Sequence, residues 1–382
     1  MREVVLLGST GSIGTQAVDV IRRNPGKFRV VGLSAGRNVE LLCQQAKELN
    51  PDFVAVSDPE LALDVAAELS IPVLRGDEGV SELAGKGVHT VLNGITGAAG
   101  LLPTLAALEA GSQLALANKE SLVIGGPVVK AAATPGQIVP VDSEHSAIAQ
   151  ALRSGTHGEV RRIILTASGG PFRGYSKERL RAVTVQDALR HPTWNMGRVV
   201  TINSATLVNK GLELIEAGYL FDVPLKDIVI AVHPQSVVHS MVEFYDGSTI
   251  AQASPPDMRL PIALGLGWPE RVEDAVPPVD WTKANDWHFE PLDTEVFPAP
   301  DLARQVGEKG GSWPAVYNAA NEIAVDAFCA GDIRFDQIVE TVAECVAAYT
   351  QPNGPTTVAS VLAADEWART LASELVEAKA GE

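Results

Sequence analysis

Sulfur is scarce in this chain: its three cysteines, Cys43, Cys329 and Cys345, are an odd number and show no CxxC spacing. Neither a disulfide framework nor a thiolate metal site is indicated, and the three read as small buried hydrophobes in a reducing compartment. Basic clusters are scarce too. Thirty Lys and Arg face 47 Asp and Glu, a net charge of −17, and basic residues adjoin only in pairs such as Arg161-Arg162. Nucleic acid and anionic membranes would be repelled, so neither is expected as a partner. No apolar stretch is long enough to span a bilayer, since Gly125, Gly126 and Pro127 interrupt the most apolar region. The run Val4 to Leu7 is too brief for a secretory signal, so a cytoplasmic protein is expected. Histidines at metal-like spacing are also missing. His233 and His239 lie six apart with no third ligand nearby and read as packing or interface residues. There is no internal repeat.

What is present is a folded composition, 46% hydrophobic and 20% charged over 382 residues. At ~150 residues per domain, two or three domains are expected. The N-terminal part alternates strand and helix patterns, the signature of a doubly wound α/β sheet. Strands are predicted at Val4–Leu7, Arg29–Leu33, Phe53–Val56, Pro72–Leu74, Val88–Leu92 and Gln113–Ala117, with a helix around Glu60 to Leu69. The first strand runs into Gly8-Ser9-Thr10-Gly11-Ser12-Ile13-Gly14 and then a helical pattern. Strand, glycine turn and helix is the arrangement in which backbone N–H groups meet a dinucleotide phosphate. The second strand ends in Ser34-Ala35-Gly36-Arg37-Asn38, with no acid before Glu40. A hydroxyl and a guanidinium there suit a 2′-phosphate, which favours NADP over NAD. A later strand ends in Asn118-Lys119-Glu120, and residues beyond strand carboxyl ends are where an open sheet places its ligands.

Pro140-Val141-Asp142-Ser143-Glu144-His145 sets two carboxylates two residues apart in an otherwise apolar neighbourhood. If the segment is extended, both point the same way and could grip one hard cation, Mg²⁺ or Mn²⁺. Further on, the strand Arg162–Thr166 leads into Ser168-Gly169-Gly170-Pro171, a loop suited to an anion. Residues 168–198, with exposed-looking Trp194 and Met196 and one helix around Lys177 to Leu189, read as a mobile lid. Ser204 to Gly218 is predicted as one helix, Ser204 near its start and Gly218 as its C-cap. Val208, Leu212 and Ile215 form its buried face, whereas Asn209, Glu213 and Glu216 share another. Glu213 could add a third oxygen ligand, leaving Asn209 and Lys210 for an anion. Strands follow at Ile228–Ala231, Val237–Phe244 and Thr249–Ala253, then a proline-rich linker at 276–300 and three helices at 315–330, 335–349 and 358–378.

Taken in order, the motifs GSTGSIG at Gly8, AGRN at Ala35, ANKES at Ala117, PVDSEH at Pro140, SGGPF at Ser168, HPTWNMG at His191, NSATLVNKGLE at Asn203 and HPQSVVHSMVE at His233 cover essentially the whole chain. Together they closely resemble the 1-deoxy-D-xylulose 5-phosphate reductoisomerase family of bacterial type. The resemblance implies a Rossmann-like NADP-binding domain (1–141), a central α/β catalytic and dimerisation domain (142–275), the linker, and a C-terminal helical bundle (301–382). It implies NADPH and Mg²⁺ or Mn²⁺ as cofactors, a small phosphorylated sugar as substrate and a homodimer. The cofactor would be held by Gly8, Thr10, Gly11, Ser12 and Ile13 at the pyrophosphate and by Gly36, Arg37 and Asn38 at the adenosine end, with Asn118, Glu120 and Gly197 completing the site. Asp142, Glu144 and Glu213 look like the metal triad. Lys119, Ser143, Glu144 and Glu213 would contact the hydroxyl and carbonyl end of the sugar, Lys119, Glu144 and Glu213 being catalytic. Ser168, His191, Ser204, Asn209 and Lys210 would surround its phosphate under the Trp194 indole. Another NADP-dependent oxidoreductase of small phosphorylated aldehydes or ketones is the alternative. A semialdehyde dehydrogenase would need a nucleophilic cysteine, and no cysteine lies in a candidate motif; a non-catalytic NADP sensor would have no use for a carboxylate triad.

Overall fold

A computed structural model describes residues 1–194 and 196–380 of the chain. In order the elements are β1 (Arg2–Leu7), α1 (Ser12–Arg23), β2 (Phe28–Ala35), α2 (Val39–Leu49), β3 (Phe53–Val56), α3 (Leu61–Glu68), β4 (Val73–Arg75), α4 (Gly76–Ala84), β5 (Thr90–Asn93), α5 (Leu101–Glu109), β6 (Gln113–Leu116), α6 (Lys119–Ala132), β7 (Ile138–Pro140) and α7 (Ser143–Ala151). There follow β8 (Val160–Ala167), α8 (Lys177–Arg181), α9 (Val185–Ala188), α10 (Arg198–Ala205), α11 (Val208–Phe221), β9 (Ile228–Val232), β10 (Val238–Phe244), β11 (Thr249–Ala253), α12 (Arg259–Gly267), β12 (Glu290–Pro291), α13 (Ala299–Lys309), α14 (Trp313–Ala330), α15 (Phe335–Ala348) and α16 (Val358–Lys379). Two compact units result. The first comprises Met1–Leu122, Val129–Ser146 and Asp257–Pro277; the second comprises Val123–Val128, Ala147–Pro256 and the chain from Pro278 onward.

The first unit is built on a seven-stranded parallel sheet in the order β4-β3-β2-β1-β5-β6-β7. Parallel strands are covered on both faces and therefore read as apolar runs, and Val4 to Leu7 of β1 are wholly buried. The strand order reverses direction between β1 and β5, the crevice in which such sheets bind ligands. Helix α1 docks on the sheet through Ala17, Val18, Val20 and Ile21, and α12 returns to the same core through Ile262, Ala263 and Leu266.

In the second unit a mixed five-stranded sheet runs β11-β10-β8-β9-β12, with β8 and β9 parallel and the other pairs antiparallel. Helix α11 covers it through Leu214 and Ala217. Helices α14, α15 and α16 pack on one another with α14 at the centre, while α13 packs mainly on α11. No helix among the described residues is long and apolar enough to cross a membrane.

Three local expectations fail. The stretch predicted as one helix from Ser204 is two, because Leu207 takes a left-handed conformation (φ 60°) between α10 and α11. Ser204 thus closes α10 rather than opening α11, and α11 runs past Gly218 to Phe221. The missing Cβ of Gly218 serves packing, since one placed there would meet Leu225 Cδ2 at 2.5 Å. Within 177–189 there are two short helices instead of one, because Thr184 caps the second by accepting from the Asp187 amide.

Candidate functional site

The glycine turn of the first unit is held by backbone geometry. Gly8 has φ 72°, and a Cβ on it would lie 2.9 Å from the Gly94 carbonyl, so the β1 and β5 ends close on each other only with glycine there. A Cβ on Gly14 would lie 2.3 Å from the Gly8 carbonyl, which fixes how closely α1 approaches the strand. Gly11 caps α1 with no side chain in the way, so the first amides of α1, from Ser12 and Ile13, point outward beside Thr10. At the end of β2, Gly36, Arg37 and Asn38 are exposed, and Asn38 also caps α2 through the Leu41 amide at 3.2 Å. Of the hydroxyl and guanidinium expected there, only Arg37 is at the surface. Ser34 is buried, and its Oγ accepts from the Gly8 amide at 3.0 Å.

Asn118 is a hub in the same unit. Its Nδ2 donates to the carbonyls of Ile95 and Gly97, at 2.7 and 3.0 Å, and to a Glu120 carboxylate oxygen at 3.0 Å, while its Oδ1 caps α6 at the Ser121 amide. Lys119 next to it forms an ion pair with Asp142, and both side chains are nearly buried.

Asp142 and Glu144 are not on an extended segment. Helix α7 begins at Ser143, and the Asp142 carbonyl accepts the Ser146 amide at 2.8 Å. Two carboxylates at a helix N-terminus are favoured by the exposed amides and the helix dipole, which is why the sequence turns helical there. The two acids therefore lie in one helix turn, and Ser143 donates to the Glu144 carboxylate. Burial works against the charged form of Asp142, but the Lys119 ammonium, the His145 ring and hydrogen bonds from Glu144 and Lys119 outweigh it, holding its carboxyl well below the usual range. His145 is wholly buried, and helical spacing from Asp142 is the signal that places it near that carboxylate.

In the second unit α11 is buried all round. Lys210, Glu213 and Glu216 are 3%, 1% and 0% exposed, so these charged side chains are interior. Charges so deep survive only when compensated, and Lys210 and Asn209 both donate to the Glu213 carboxylate. Ser168, at the end of β8, faces His191 Nε2 at 3.0 Å and accepts the Gly170 amide at 3.2 Å. His191 Nδ1 accepts the amides of Thr193 and Trp194 at 3.1 and 2.9 Å, which leaves Nε2 carrying the proton and donating to Ser168. Burial pushes the His191 pKa down to about 4, in keeping with a neutral ring. Ser204 adjoins this loop, because a Cβ on Gly170 would meet its carbonyl at 2.8 Å. Trp194 and Met196 are half-buried rather than exposed, the indole lying 6.0 Å from the His239 ring. Gly197 caps α10 at the surface. His233 is a packing residue as expected: it bridges the His288 carbonyl and the amides of Val237 and Val238 and stacks on Phe289.

One unit with a glycine-cradled helix end at the switch point of a parallel sheet, and buried acids partnered by lysines, Asp142 by Lys119 and Glu213 by Lys210, define a dinucleotide-dependent enzyme with carboxylate chemistry. Comparison with known proteins makes the class particular. The 1-deoxy-D-xylulose 5-phosphate reductoisomerase profile matches residues 4–126, and the two C-terminal domain profiles of that enzyme match 138–221 and 253–371. The 1-deoxy-D-xylulose 5-phosphate reductoisomerase of Kitasatospora griseola is 62% identical over 97% of this chain and 99% of its own length; that of Streptomyces coelicolor is 57% identical over 99% and 94%. Among solved structures, the Zymomonas mobilis enzyme in complex with NADPH superposes with a TM-score of 0.91 at 44% identity, covering 98% and 99% of the two chains. A reductoisomerase complex with NADPH, fosmidomycin and magnesium gives 0.93 at 37%, covering 99% and 98%. The chain belongs to the 1-deoxy-D-xylulose 5-phosphate reductoisomerase family.

Proposed function

We propose that this chain rearranges and reduces 1-deoxy-D-xylulose 5-phosphate to 2-C-methyl-D-erythritol 4-phosphate, with NADPH and a divalent metal, in the non-mevalonate isoprenoid pathway. The observation that carries the reading is Asp142, a nearly buried carboxylate held in its charged form beside Lys119, in a chain of this family. The donors fit the metal: Asp142, Glu144 and Glu213 offer only oxygen, which suits Mg²⁺ or Mn²⁺. When bound, the metal supplies polarisation of the substrate carbonyl and acidification of a neighbouring hydroxyl, and NADPH supplies hydride.

The chain's own residues bind, orient and seal. Lys119, Ser143, Glu144 and Glu213 grip the hydroxyl and carbonyl end of the sugar, and Lys119 is the one ammonium of that set. Ser168, His191, Ser204, Asn209 and Lys210 take the phosphate. Because Ser168 Oγ accepts from His191 and from Gly170, its own O–H is turned outward as a donor. Trp194 covers the substrate and excludes water. Gly8, Thr10, Gly11, Ser12 and Ile13 receive the pyrophosphate on the α1 N-terminus, Gly36, Arg37 and Asn38 take the adenosine end, and Asn118, Glu120 and Gly197 complete the cofactor site. Functionally the chain then divides into a cofactor part (1–141), a catalytic part (142–275) with its lid (168–198), a linker (276–300) and a helical part (301–382).

A homodimer is part of the same reading. Ala251, Met241, Ile164 and Val229 align across β11, β10, β8 and β9 as one apolar row, and Val229 is 41% exposed. A second copy could cover that row. A cytoplasmic location is supported by the free thiols of Cys43, Cys329 and Cys345.

The test is NADPH oxidation with 1-deoxy-D-xylulose 5-phosphate, with Mg²⁺ or Mn²⁺ and again with chelator. Metal-dependent oxidation is the expected result. No oxidation by folded protein that binds NADPH would sink the reading and favour another NADP-dependent oxidoreductase.

A further inference from the structure

Helix α14 carries an amide where an apolar side chain would be expected. Asn321 is 0% exposed, and around it Ala324, Val325 and Phe328 of α14 join Ile202 and Ala205 of α10 in one hydrophobic cluster. Its Nδ2 donates to Oδ1 of Asn203, 118 residues earlier, at 2.9 Å, and Asn203 is itself 4% exposed. The Asn321 Oδ1 finds no partner among the described residues. A buried carbonyl left in that state costs about 1–3 kcal/mol, so a leucine of similar size would pack here at lower cost. What the amide supplies is the donor to Asn203.

Asn203 directly precedes Ser204. Three residues beyond that serine the chain turns through Leu207, in the left-handed region, into α11 with Asn209 and Lys210 at its start. A left-handed leucine is strained and persists only where its surroundings fix it. The Asn321–Asn203 bond grips this junction from the helical bundle, one residue from the first proposed phosphate ligand.

We propose that Asn321 is a positioning residue for the phosphate end of the substrate, acting through Asn203 to hold the α10–α11 junction that presents Ser204, Asn209 and Lys210. The inference rests on the phosphate site assigned above. It gives the C-terminal helices a part in substrate recognition, although they touch no substrate in that reading. The coupling is local and directional: it concerns the phosphate and leaves the cofactor turn alone.

The experiment compares Asn321→Leu, Asn203→Leu, the double variant and Asn203→Asp, which keeps the acceptor oxygen. Two quantities are read: kcat and KM with 1-deoxy-D-xylulose 5-phosphate, and the affinity of metal-free protein for inorganic phosphate by calorimetry. Either leucine variant should raise KM and weaken phosphate about tenfold, as loss of one buried bond to a polar group implies, with kcat and NADPH affinity within about threefold of native. The double variant should be no worse than either single, and Asn203→Asp should stay within about threefold. Unchanged KM and phosphate affinity in a folded leucine variant would overturn the proposal. So would a uniform loss of kcat, substrate and NADPH binding in the leucine and aspartate variants alike, which marks a packing role. If Asn321→Leu does not fold, the Asn203→Leu and Asn203→Asp pair decides the matter alone. Should native protein fail to turn the sugar over, the functional reading fails, while the phosphate titration still reports on the positioning.

Discussion

The glycine turn of the first unit and the Ser168–Lys210 region of the second are assigned the same task, receiving a phosphate, and they are built from opposite materials. The turn uses backbone: Gly8 and Gly14 let strand, turn and helix approach within contact distance, and the amides at the start of α1 are the proposed phosphate donors. The other region uses side chains, a serine aligned by a histidine and an ammonium beside a buried carboxylate. A backbone cradle is fixed once the fold forms and tolerates no added atom. A side-chain cradle is adjustable and fails one group at a time.

The largest way to test that contrast is Glu213→Gln. An amide cannot replace a metal-binding carboxylate or balance Lys210, so turnover should fall at least about a thousandfold, roughly 4 kcal/mol of barrier. NADPH affinity, measured by fluorescence titration, should stay within about threefold. Loss of both together would mean that the two regions do not have separate tasks. Gly14→Ala comes next. Its methyl would stand 2.3 Å from the Gly8 carbonyl and 2.4 Å from Ser9, both backbone that cannot swing aside. NADPH binding should weaken about a hundredfold, roughly 2.7 kcal/mol and within the 1–3 kcal/mol typical of overpacking, while inorganic phosphate binds as before because the displacement is local. Ser168→Ala should cost less, about tenfold in KM with kcat preserved, the worth of one hydroxyl hydrogen bond to an anion.

The same contrast explains what the sequence could disclose. Backbone cradles leave a mark in one dimension, because glycines must fall at set spacings, and the turn was legible from GSTGSIG with its flanking strand and helix. Strands Phe53–Val56 and Thr249–Ala253 were legible to the residue because apolar and turn residues bound them. The local geometry of the substrate region was not. Nothing in Ala205-Thr206-Leu207 announces that Leu207 breaks the helix, since no glycine or proline marks it. The face shared by Asn209, Glu213 and Glu216 was legible as polar but not as interior, because periodicity reports polarity and not what covers it. The alternation argument for Asp142 and Glu144 failed because a helix begins at Ser143, where acids are favoured by the exposed amides and the helix dipole. The Asn321–Asn203 bond spans 118 residues and has no local signature at all.

The smallest expected effect concerns pH, and it separates the two regions by charge state. His191 is pushed by burial to about 4 from an ordinary 6.5, and His239, likewise buried and near Lys210, also to about 4. A histidine whose folded pKa is depressed favours the neutral form. Its contribution to stability is therefore fully present above the unfolded value near 6.5 and is lost as pH falls from there through 4, where both states are protonated. For His239, 5% exposed, the span of 6.5 to about 4 amounts to an order of 3 kcal/mol. Phosphate affinity should accordingly show no step from His191 between pH 9 and 6. Below about 5 protonation at Nδ1 would repel the amides of Thr193 and Trp194, so the loop carrying the indole should loosen and the melting temperature should fall. Calorimetric titration of inorganic phosphate across that range checks the first part, and thermal unfolding of native and His191→Gln proteins checks the second. A step near pH 6.5 that disappears in His191→Gln would show the ring to be charged in use, and Ser168 would then be aligned by an imidazolium instead of a neutral donor.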